Sequence, residues 1–86
     1  MTPYHVILWR SPVSAWHEAE IPVEAEDEYT AVKLAMRQHQ AQTMSVVIVV
    51  SATKQCTYYD VHLDGERVWY SHFEQSPRYQ AEEESE

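Results

Sequence analysis

Five consecutive residues, Val46-Val47-Ile48-Val49-Val50, are all β-branched. Branching at Cβ restricts rotamers in a helix and suits a pleated sheet, and a run this short does not sustain a helix. The segment Met44 to Ala52 is therefore predicted to be a central strand, apolar on both faces. Such a strand needs a neighbour on each side and material over both of its faces.

The neighbours are legible in the same way. Tyr4-His5-Val6-Ile7-Leu8-Trp9-Arg10 reads as a strand with apolar residues on both faces. After a turn at Ser11-Pro12-Val13-Ser14, residues 15 to 25 alternate with period two. Ala15, His17, Ala19, Ile21, Val23 and Ala25 share one face, and Trp16, Glu18, Glu20, Pro22, Glu24 and Glu26 share the other. Pro22 cannot donate a ladder hydrogen bond, so this strand belongs at a sheet edge or carries a bulge.

Asp27-Glu28 opens a helix that is expected to run to about Ala41, with Asp27 as N-cap and Thr30 at the third helical position. Ala31, Val32 and Ala35 form its sheet-facing side, flanked by Leu34 and Met36. Cys56 to Leu63 is a further strand, Asp64-Gly65 a two-residue hairpin turn, and Glu66 to Phe73 the return strand. This register sets Val61 against Val68 and Tyr59 against Tyr70 on one side. It sets His62 against Arg67 and Asp60 against Trp69 on the other, with Tyr58 on that polar side.

The expected fold is α+β: a single antiparallel sheet of about five strands, β-β-α-β-β-β in sequence and 2-1-3-4-5 in space, with one helix on one face. Its 86 residues allow one domain, here residues 1–73. The acidic tail 74–86 is expected to be disordered. One helix covers only one face, so the other needs a lid: a partner, a second copy or the tail.

Composition narrows function. Gly65 is the only glycine, which excludes a Gly-rich phosphate loop. Cys56 is the only cysteine, which excludes an intramolecular disulfide and points to a reducing compartment. The opening residues have no basic start, and no apolar run approaches the ~20 residues that span a bilayer. The expected location is the cytoplasm. The net charge of −8 disfavours direct binding to nucleic acid or to a membrane and favours a basic partner, or simply solubility.

Catalytic and metal chemistry find little support. His5, His17, His39, His62 and His72 include no helical i, i+4 pair, although His62 and Asp60 share a strand face. Cys56 and His72 fall one residue out of register across the hairpin, on opposite faces, and no helix N-terminus activates the thiol. The carboxylates line a strand face with no pocket to raise their pKa. The chain is therefore read as no enzyme, with no cofactor and no metal site.

Two features point to binding. The first is the acidic stripe Glu18, Glu20, Glu24, Glu26, Asp27 and Glu28, with no Lys or Arg between Arg10 and Lys33. Such a row can occupy a basic groove shaped for nucleic acid, or it can simply guard an edge strand against aggregation. The second is aromatic: Trp16 among the glutamates, with Tyr58 and Trp69 on the polar side of the last hairpin. These are typical interface residues, including the interface of a homodimer.

In order, the segments Tyr4-His5-Val6-Ile7-Leu8, Glu20-Ile21-Pro22-Val23-Glu24-Ala25, Thr30-Ala31-Val32-Lys33-Leu34-Ala35, Val46-Val47-Ile48-Val49 and Gly65-Glu66-Arg67-Val68-Trp69 resemble small phage- and plasmid-borne β-β-α-β-β-β proteins. These include some anti-CRISPR proteins that bind type I interference complexes. The resemblance is one of layout and transfers no individual functional residue. It implies a stoichiometric inhibitor of a nucleoprotein or nuclease complex. The alternative is a housekeeping interaction module or homodimer whose acidity serves solubility.

Overall fold

A computed structural model describes residues 1–10 and 17–75, with backbone alone for 74 and 75. The turn expected at residues 11–14, the placement of Trp16 and the tail beyond Gln75 lie outside the described residues.

The β-branched run forms the last five residues of β3 (Thr43–Val50). On one side it pairs with β1 (Thr2–Trp9), and on the other with β4 (Gln55–Asp64). Strand β2 (Ala19–Ala25) pairs with β1 and forms one edge. Two short strands, β5 (Arg67–Trp69) and β6 (His72–Gln75), pair with the far side of β4. All pairings are antiparallel and the order is β2-β1-β3-β4-β5, as the sequence predicts. Pro22 sits on the edge strand, where the sheet tolerates a missing donor.

The helix α1 (Glu28–Gln38) begins as read: the Asp27 carboxylate accepts from the Thr30 backbone N–H at 2.7 Å. It stops three residues before the expected end. Gln40 takes a left-handed conformation, φ 57°. The Ala41 N–H then bonds back to the Met36 carbonyl (2.9 Å), and the Gln40 N–H to Arg37 (3.1 Å). These bonds use carbonyls that the helix end would leave unpaired. Ala31, Val32, Ala35 and Met36 are buried against the sheet, while Leu34 is exposed. They meet Val6, Leu8, Ile21, Val47, Val49 and Val61 in one core.

Side chains fasten the helix to the last hairpin. The Tyr29 hydroxyl accepts from the Val68 N–H at 2.8 Å. Glu66 binds Lys33 at 3.3 Å and Arg37 at 2.6 Å. Arg37 also donates to the Gly65 carbonyl at 3.0 Å.

That hairpin departs from expectation in two ways. Its turn is Gly65-Glu66, closed by the pair Asp64 and Arg67, so the register slides by two residues. Leu63 rather than Val61 opposes Val68, and Trp69 opposes His62. Gly65 alone of the two turn residues has positive φ (59°), the pattern of a type II′ turn.

The return strand is also broken at Tyr70-Ser71, and it runs to Gln75, two residues past the expected boundary. At this break β3 and β4 change phase together. Buried residues fall at Met44, then Val47 and Val49, and opposite them at Val61, then Tyr58 and Cys56. Each strand skips one step of its alternation. Asp60 takes up the twist with φ 51°, and the Ser71 hydroxyl donates to its carboxylate at 2.9 Å.

The phase change corrects the reading of Tyr58. Straight alternation from Val61 places Tyr58 on the polar side; the skip turns it into the core at 7% exposure. Its ring stacks on Tyr70 at 4.2 Å and meets Phe73 at 5.3 Å. Burial pushes the Tyr58 phenol well above its ordinary pKa and that of Tyr70 up to about 12.

Candidate partner-binding surface

The edge strand β2 sorts its residues by alternation. Ile21 and Ala25 are buried and Ala19 and Val23 are half-buried, while Glu20, Pro22 and Glu24 are exposed. This is the acidic outer side read from the sequence. Glu26, in the bend before the helix, is exposed as well.

The six acids of the stripe have different surroundings. Glu18 is a brace. Its carboxylate accepts from Arg10 Nε at 2.8 Å and Nη2 at 3.2 Å, and it meets His39 Nε2 at 2.7 Å. One side chain thus joins the end of β1, the start of β2 and the cap of α1. The bond from Arg10 holds the Glu18 carboxyl below the usual carboxylate range. Arg10 also donates to the Thr43 carbonyl at 3.3 Å.

Asp27 is committed to the helix cap, and the Thr30 backbone bond keeps its pKa low. Glu28 pairs with Lys54, which arrives from the β3–β4 turn. Glu20 lies between two imidazoles, His5 at 3.6 Å and His17 at 3.5 Å. These are ion pairs only when the rings are protonated. Glu24 and Glu26 form no ion pair among the described residues.

The stripe is therefore divided. Glu18, Asp27 and Glu28 hold the fold together, and Glu20, Glu24 and Glu26 face solvent without a Lys or Arg among the described residues. The absence of bases between Arg10 and Lys33 in sequence does not carry over into space. Pairing of Leu8 with Ala19 carries Arg10 to Glu18, a juxtaposition visible only once the register is known.

Among the aromatic candidates, Trp69 is 49% exposed, with the Arg67 guanidinium 5.6 Å from its ring centre. Tyr58 is in the core, and Trp16 is outside the described residues. Phe73, not singled out from sequence, is 51% exposed, with its ring against that of buried Tyr58. Cys56 is buried and its thiol is pushed up by burial. It opposes Gln75, whereas His72 opposes Tyr59 and packs on that ring at 5.2 Å.

Residues on the sheet face away from the helix belong to the same surface. Ile7, Trp9, Ile48, Val50 and Tyr59 are half-buried there, and no described element lies over them. Val46 sits between its register partners Trp9 and Tyr59 and is nearly covered.

Among the described residues no group of three or more His, Cys, Asp and Glu side chains is arranged to hold a metal ion, and no helix is long and apolar enough to cross a membrane. No family model, no curated protein and no solved structure matches this chain.

Proposed function

We propose that the chain is a non-catalytic, protein-binding inhibitor or regulator, acting in the cytoplasm by docking its acidic β2 edge on a basic groove of a nucleic-acid-handling complex. The supporting observation is Glu20 and Glu24 on the solvent side of an edge strand, followed by Glu26, with no Lys or Arg taking up their charge among the described residues. Four strand residues separate Glu20 from Glu24 by ~13 Å, about four axial phosphate steps of ~3.4 Å in a nucleic-acid duplex. A groove that accepts phosphates meets these two carboxylates at a commensurate spacing, fixed by the strand that carries both.

A second reading is favoured by the other half of the stripe. Glu18, Asp27 and Glu28 act within the fold, which suits an interaction module or homodimer whose remaining acids maintain solubility. Affinity capture from the native host separates the two, comparing wild type with the E20K/E24K/E26K variant. Glu18 stays in place because it braces the fold. Docking through the edge predicts that the proteins held by wild type are lost on charge reversal and at high salt, where exposed charges are screened. Retention of the same proteins by the reversed variant would refute the docking reading.

A further inference from the structure

One row of the sheet runs Glu20 on β2, Ile7 on β1, Ile48 on β3, Thr57 on β4 and Glu74 on β6. An acidic position stands at each end of an otherwise uncharged row that crosses five strands, on the face away from α1. Four strand spacings of ~4.8 Å set those ends ~19 Å apart. An α-helix with its side chains is ~10–12 Å across. Lys and Arg extend beyond that width, laying their stems on apolar surface with the charge at the tip.

We infer that this face receives a basic amphipathic α-helix of a partner protein, laid along the strands over β1 and β3. Its apolar stripe covers Ile7, Ile48 and Val50. Basic residues on the flank over β2 meet Glu20 and Glu24. The inference rests on the proposal that the chain binds a basic protein, and adds which surface is used and what element it takes. Charge selects this occupant over a second copy of the chain: each copy carries −8, and stacking two acid-rimmed faces opposes like charges.

The test uses the full chain and two synthetic 18-residue peptides of identical Leu/Lys composition. One has its leucines at helical period and the other is scrambled. The periodic peptide should bind about tenfold more tightly than the scrambled one, because only it presents a continuous apolar stripe. NMR shifts should appear at Ile7, Ile48 and Val50. Ile48→Thr, which keeps a β-branched residue in the strand, should weaken the periodic peptide by about tenfold while leaving the fold intact by circular dichroism.

If both peptides bind alike, with shifts confined to residues 20–26, the helix inference fails and the acidic-edge reading survives. Binding by neither peptide also overturns the inference. So does a concentration-dependent dimer in sedimentation that Ile48→Thr dissolves, because the face then belongs to a second copy.

Discussion

Val47 and Ile48 are consecutive and nearly alike in chemistry, yet their surroundings differ. Val47 is 0% exposed under the helix, and Ile48 is half-buried on the other side of the same strand. Leu8 and Ile7 repeat the contrast on β1, with Leu8 at 0% exposure. The sheet thus has one face closed by the chain's own helix and one on which apolar residues have no described cover. Stability is expected to reside on the first face and recognition on the second.

The largest expected effect is on the closed face. Leu8→Ala should destabilise by about 3 kcal/mol through lost burial and a cavity. In a domain this small that lowers Tm by roughly 12–24 °C. Urea unfolding measures it, and a loss under about 1 kcal/mol would put the core elsewhere.

Next come the fastenings of the covering helix. Glu18→Ala and Asp27→Ala should each destabilise by about 1 kcal/mol, the first by freeing His39 and Arg10, the second by removing the cap. Both carboxyls have folded-state pKa values below their ordinary ones. Their stabilisation is therefore fully present above the unfolded values, about 4.3 for Glu and 3.9 for Asp, and is lost as pH falls through the folded values. The urea midpoint of wild type should drop on acidification below about pH 4.5, more steeply than that of either variant. Parallel pH curves would mean these carboxylates do not fasten the helix.

The smallest effects belong to the solvent-side acids. Glu20→Lys, Glu24→Lys and Glu26→Lys should each change stability by no more than about 0.5 kcal/mol, in contrast to Glu18→Ala. A large loss from any of them would erase the division of the stripe into bracing and free carboxylates.

Much of this architecture can be read from local signals. The β-branched run at 46–50, the alternation at 19–25 with Pro22, and the Asp27 cap each report a nearest-neighbour preference of the backbone. What could not be read depends on contacts distant in sequence. The joint phase change at Ser45–Val46 and Tyr59–Asp60 requires two strands to twist together, and it sends Tyr58 inward where simple alternation sends it out. The slide of the last hairpin puts Gly65 at the first turn position and sets Glu66 against Lys33 and Arg37 on the helix. The engagement of Glu18 and Glu28 follows from strand register and a turn that delivers Lys54. For the candidate surface, sequence alone located Glu20, Glu24, Glu26 and Trp69 on the outside, and tertiary contacts decided which acids remain uncommitted.

The difference between the two faces is tested most directly by a pair of adjacent substitutions, Val47→Ala and Ile48→Ala, compared by urea unfolding. Ile48→Ala removes more carbon. If area withdrawn from water decides the outcome, Val47→Ala should cost about 2 kcal/mol and Ile48→Ala about half that or less. An equal or larger loss at Ile48 would mean that the second face is closed within the chain and unable to receive a partner.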